Sequence, residues 1–191
     1  MSFDGIDLNA MNQVIAAPAD QPVSQIGGGD SDYINVLPEG IYTATLWSAG
    51  TYLSKAKQNP MMRLTFVIEN GGPVDMDADT ADELAATVYG KMFTQHQMIR
   101  NMSQTDPGKL AFVFFKVQEL LASTQVLGSL EEIRNEVKSL ADVATAVDEL
   151  DGINKQTEGG LQYSISCTHR VNPRDPANPY ISVTILDLLT N

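Results

Sequence analysis

Hydrophobic and polar positions alternate along several stretches of this chain. Between Ile41 and Ser48, Tyr42, Ala44 and Leu46 share one face, and Thr43, Thr45 and Trp47 share the other. Met61 to Glu69 alternates more strongly. Met62, Leu64, Phe66 and Ile68 form an unbroken apolar face, and Met61, Arg63, Thr65, Val67 and Glu69 a mixed one. Period two marks a strand with one buried side, so the even positions face a core and Trp47 and Arg63 point outward. Leu161 to His169 and Tyr180 to Leu186 alternate too, with Ile181, Val183 and Ile185 inward. The proline-rich VNPRDPANP between them makes a hairpin. Val88 to Met98 reads both ways. Its Thr, Tyr, Phe and Gly90 suit a strand, while Leu84, Val88, Met92 and Ile99 would line a helix face; we take it as a third strand.

A three-four spacing appears elsewhere. Leu110, Val113, Phe114, Val117, Leu120 and Leu121 predict a helix over Leu110 to Ser123, and Phe112 and Phe115 off that stripe predict burial on two sides. Ser129 with Glu132 forms a capping box that opens a helix over Leu130 to Leu140, and Thr80 with Glu83 forms another. Near the start, Leu8, Met11 and Ile15 fit one face of a short helix, and Gly27 to Gly29 fit a linker. Residues 1–37 therefore read as a flexible acidic arm. Residues 38–191 read as one domain, with its helical segment at about 105–145. The order is three strands, helices, then two strands. That order predicts a mainly β fold with an α insertion: a five-stranded OB-fold barrel with helices between strands 3 and 4. A sandwich with a helical insertion is the alternative.

Charge sharpens this picture. The chain has 191 residues and a net charge of -12. Residues 1–54 hold six acids and no base, and residues 69–83 hold six more acids and no base. Between Glu39 and Glu69 there is no acid, but there are Lys55, Lys57 and Arg63. A second basic window carries Lys91, Arg100, Lys109 and Lys116. Such segregation keeps local cations for an anionic ligand on an otherwise repulsive chain. No apolar run approaches the roughly 20 residues that span a bilayer. No basic residue precedes Lys55, so the charged start of a secretory signal is missing, and the single Cys167 cannot pair internally. Both features point to a reducing cytoplasm and to no membrane partner.

PEGIYTATLWSA followed by SKAKQNPMMRLTFVIENG resembles a family of small bacteriophage proteins related to single-stranded-DNA-binding proteins. In that family a "P-G-Y" strand precedes a "K-x-G-N-P-M" turn and an "L-x-F-x-I" strand. GKLAFVFFKVQELLAST resembles the family's helix, and DELDGINKQTEGGLQYSIS the strand after it. The resemblance covers roughly residues 36–190 and is strongest over 38–71. It implies an OB fold that binds single-stranded DNA in phage replication or recombination, within the host cytoplasm. Phage replication or recombination proteins would be further partners, and a homo-oligomer is left open. Three features depart from the pattern. Gln58 stands where the family has glycine, the acidic insert at 75–83 is unusual, and the chain ends LDLLTN rather than in an acidic tail.

Binding single strands without sequence preference requires aromatic rings for bases and cations for phosphates. The first hairpin supplies Trp47, Tyr52, Lys55, Lys57 and Arg63. The third strand adds Lys91, Phe93 and Arg100, with Tyr89 and His96 beside them. The last loop adds Arg170, Arg174 and Tyr180. The structural alternative is that Trp47 is core and the lysines merely solubilise a loop. The acidic arm and insert would confine DNA to the basic track and would also compete with it there. Other chemistry fits poorly. Asp75, Asp77 and Asp79 open like a calcium loop, but its sixth and twelfth positions are Thr80 and Ala86. Cys167 and His169 share a strand face, yet neither a zinc set nor an exposed thiolate is in prospect. Phosphate-loop, dinucleotide and nucleophile-elbow motifs are missing. The reading is therefore non-enzymatic and without cofactor. The alternatives are a protein-interaction or virion structural protein, or an acidic mimic of DNA.

Overall fold

The computed structural model describes residues 32–55, 57–173 and 179–189. The helix face expected for Leu8, Met11 and Ile15, the Gly27 to Gly29 linker and the candidate Arg174 lie outside these residues. The order is β1 Gly40–Leu53, β2 Pro60–Gly72, α1 Ala78–Thr87, β3 Met92–Met98, α2 Pro107–Ser123, α3 Leu130–Glu136, α4 Leu140–Gln156, β4 Gln162–Arg170 and β5 Tyr180–Leu188. The fold is mixed α/β, with a five-stranded antiparallel sheet ordered β3-β2-β1-β4-β5. The sheet is not closed into a barrel. Its edge strands are linked by a side chain: Gln95 on β3 donates its amide to the Val183 carbonyl on β5 at 3.0 Å.

Residue contacts divide the chain into two compact units, and β1, β2 and β3 each contribute to both. The first contains Ser48–Leu64 and His96–Gln156. Its core is helical: Phe114, Val117 and Leu121 of α2 pack with Ile133, Val137, Leu140, Val143 and Val147, and with Met62 of β2. Burying each such side chain contributes about 1.5–3 kcal/mol. Asp106 caps α2 through Gly108 and Lys109, with Pro107 at the first helical position. Ser129 and Glu132 complete the expected capping box on α3. That helix ends at Glu136 because Val137 turns extended. A further box then opens α4, in which Asp142 accepts from the Lys138 and Ser139 amides while the Ser139 hydroxyl accepts from the Asp142 amide. Helix thus continues to Gln156, well past the boundary near 145 that periodicity suggested. The expected burial of α2 on two sides is not found. Phe112 is exposed, and Phe115 is partly covered by Arg134, whose guanidinium lies 5.7 Å from the ring centroid.

The second unit contains the start of β1 to Trp47, Thr65–Gln95 and the chain from Thr157 onward. Register brings apolar faces together: Tyr42 opposes Ile165, Ala44 opposes Tyr163, and Cys167 opposes Val183. Phe66 meets Tyr163 edge-on, with ring centroids 6.3 Å apart. The opening motif has a steric cause. A Cβ on Gly40 would stand 2.2 Å from the Gly72 carbonyl oxygen, so only glycine fits this approach of β1 to β2. Tyr42 then donates its hydroxyl to the Pro38 carbonyl. Cys167 and His169 converge on one acceptor rather than on each other. The thiol donates to the Leu37 carbonyl at 3.3 Å, and His169 Nε2 donates to the same oxygen at 2.7 Å. They hold the segment entering β1. Helix α1 begins at Asp77, whose carboxylate accepts from the Thr80 amide, so the expected cap at Thr80 moves three residues earlier.

Candidate nucleic-acid interface

Alternation alone predicts which strand residues face outward, and the first unit adds a change of phase. In β1, Tyr42, Ala44 and Leu46 are buried, but further along the strand it is Thr51 that is buried and Ala49 that packs against the helical core. The inward parity therefore switches between Leu46 and Ala49. At this switch the Ala49 amide donates to Asp151 Oδ1 of α4 at 2.9 Å. A strand amide beside a core needs such a partner.

The switch turns Gly50 and Tyr52 outward. Arg63 lies over Gly50, where an added Cβ would be 3.4 Å from its Nε. The Tyr52 hydroxyl and His96 Nδ1 are 3.0 Å apart, with the rings edge-to-face at 5.7 Å between centroids. Burial raises the Tyr52 pKa, against a smaller lowering by Arg63. Desolvation lowers the His96 pKa, and the Arg63 charge lowers it further, although the residue as a whole is exposed. At neutral pH both groups are uncharged. Tyr52 is then the donor, Nδ1 the acceptor, and the imidazole proton sits on Nε2. The cluster offers two aromatic surfaces beside a guanidinium.

The β1–β2 turn is closed by the Ser54 amide to the Asn59 carbonyl at 2.9 Å and the Asn59 amide to Ser54 Oγ at 3.0 Å. Asn59 is buried and accepts from the Met102 amide at 2.9 Å. This fixes the turn, and Lys55 and Lys57 are exposed on it. Gln58 occupies the left-handed region at φ 51. This is the position where the resembling family carries glycine.

In the second unit, Trp47 is 62% exposed, so the reading of Trp47 as core is set aside. Arg170 and Tyr180 are direct register partners where β4 ends and β5 begins, at the loop end of the hairpin, and both are exposed. Lys91 is half-buried just before β3. Two expected contacts are corrected. Phe93 is buried in the core, because the inward parity of β3 falls on odd positions. Arg100 is buried too, with its backbone against the Pro60 carbonyl. Neither side chain presents itself to a ligand. The parity that buries Phe93 exposes His96, and period-two reading of residues 92–98 would have found it.

Other chemistry is set by burial. Desolvation, then Glu39, push the Cys167 thiol up to about 11, so it is protonated and sequestered. Asp77 is engaged as a helix cap, and the Thr80 contacts lower its pKa. Among the described residues no three His, Cys, Asp or Glu side chains are placed to hold a metal ion. Nor is any described helix long and apolar enough to cross a membrane. No family model, curated protein or solved structure matches this chain.

Proposed function

We propose that this chain is a non-enzymatic single-stranded-DNA-binding protein of phage type, built on an OB-like sheet. The observation that carries the reading is Trp47, a large aromatic 62% exposed on a sheet strand. Each unit also has its own aromatic and cationic groups: Tyr52, His96, Arg63, Lys55 and Lys57 in one, Trp47, Arg170 and Tyr180 in the other. The topology supports the OB assignment. β1 lies between β2 and β4, the helices α2 to α4 fall between β3 and β4, and Gln95 links the two edge strands. An OB barrel is itself partly open. In this reading bases stack on the exposed rings, and Lys55, Lys57 and Arg170 meet phosphates.

The test is Trp47 fluorescence during titration with a thymidine oligonucleotide at low and high salt. Stacking is worth about 1–3 kcal/mol per base, so Trp47→Ala weakens binding by about 5- to 150-fold. Three phosphate contacts give a slope of log affinity on log salt of about -2. Absence of both quenching and a mobility shift at low salt would sink the reading. Association with a protein partner that is insensitive to salt would favour the interaction-module alternative.

A further inference from the structure

Helix α2 carries an exposed aromatic that neither the core nor the proposed DNA contacts use. Leu110, Phe114, Val117 and Leu121 face the core, while Phe112 is 62% exposed. Among the described phenylalanines it alone is exposed. Lys109 lies three residues before it and Lys116 four after, so all three share one helix face. The Lys116 ammonium sits 5.7 Å from the Phe112 centroid. Beside the ring runs an open groove of about 350 Å³, lined by Met98, Leu110, Phe112 and Val113, with Lys109 also on its wall.

A single exposed ring is ordinary on a protein surface. This one borders a groove and stands between two cations on a chain of net charge -12. We infer that the groove is a docking site for an acidic peptide segment of a partner protein. An apolar anchor side chain enters the groove and packs on Phe112. Carboxylates on either side of the anchor meet Lys109 and Lys116. The volume lies near the lower end of the range for ligand sites, about 300–1,000 Å³, which suits a peptide anchor rather than a broad folded surface.

The chemistry of the groove selects peptide over nucleic acid. The groove's exposed lining is mostly apolar, and the side-chain oxygens of Asn101 and Gln104 on its wall already accept from the Ser103 and Asp106 amides. Base-edge donors and acceptors would therefore go largely unsatisfied there, whereas a Leu or Phe side chain has none to lose. The lysines are available for exchange. Lys116 pairs with Glu119 at 2.7 Å, but both side chains are about half exposed, so that pair adds little. Lys109 has no carboxylate partner among the described residues. The Asp106 carboxylate is turned to the helix amides of Gly108 and Lys109.

The experiment is fluorescence anisotropy on the full chain. The probe is a short labelled peptide in which Leu and Phe alternate with Asp and Glu; a matched peptide with Lys in place of the acids is the control. The acidic peptide is expected to bind and the basic one not. Phe112→Ala should weaken binding by at least about tenfold, as for an interface anchor. Lys109→Glu with Lys116→Glu should weaken it comparably and remove its salt dependence. All three side chains are exposed, so the variants retain the fold, which circular dichroism verifies. Trp47 quenching by the oligonucleotide is measured on the same variants and is expected to be unchanged. Lack of acidic-peptide binding overturns the inference. So does loss of oligonucleotide binding in Phe112→Ala, which would make this face part of the nucleic-acid surface. A change of oligomeric state in Phe112→Ala overturns it in favour of a second copy of the chain. Absence of DNA binding in every variant, with peptide binding intact, would sink the proposed function and leave this site standing.

Discussion

Gln58→Gly is expected to stabilise the protein. Gln58 closes the β1–β2 turn at φ 51. A residue with a Cβ in that region is strained by about 1–2 kcal/mol, and glycine is not. Against this, glycine adds about 0.4–1 kcal/mol of backbone entropy to the unfolded chain. The Gln58 side chain donates to the Ser54 and Lys55 carbonyls, but at 3.4 and 3.3 Å and in solvent, so its loss costs a few tenths of a kcal/mol. The net gain is about 0.5 kcal/mol, with an upper limit of about 1.3. For a chain of this size that is a rise in melting temperature of about 1–5 °C. Urea unfolding followed by far-ultraviolet circular dichroism is the assay, because Trp47 is already 62% exposed and its fluorescence would report unfolding weakly. Gln58→Ala is the control. It keeps the Cβ and the strain, so it should be neutral or destabilising. A loss of stability in Gln58→Gly, or an equal gain in Gln58→Ala, would refute the backbone argument.

Three further outcomes follow from the same geometry. Asp151→Ala strands the Ala49 amide and should cost about 1–3 kcal/mol, while Asp151→Asn, which keeps an acceptor, costs less; equal urea midpoints for the two would contradict this. The His96 pKa is lowered by packing and then by Arg63, so the unfolded chain binds its proton more readily. The stability this contributes is complete above the ordinary histidine value near 6.5 and is lost as pH falls through the lowered folded value. An NMR titration should place the His96 midpoint below the ordinary range, and Arg63→Gln should raise it; a wild-type midpoint at or above the ordinary value would count against the cluster. Cys167, buried with its thiol pushed up to about 11, should resist a thiol reagent at pH 8 until urea unfolds the chain, and rapid labelling of the native protein would show the burial to be wrong.

Strand faces and helix starts are local properties, and they were legible in the residues. Met62, Leu64, Phe66 and Ile68 are buried, and Trp47 is exposed, as alternation requires. The Ser129 capping box formed as its spacing indicates. The box at Ser139 and Asp142 was equally readable, and would have extended the helical segment to α4. Phe93 was misjudged from its residue type, although its position on β3 already placed it inward.

What the sequence by itself determined was the order of elements, the faces of the strands and the segregation of charge, because each depends on neighbours a few residues apart. Only the tertiary structure decided the rest. Arg100 follows β3 in a basic window, yet packing buries it. The phase change in β1 arises where Ala49 meets α4, about a hundred residues away in the chain. Tyr52, His96 and Arg63 become one cluster because β2 lies between β1 and β3. Phe112 lies off the α2 stripe, and whether it was buried depended on what packs against that face, which no helical period records.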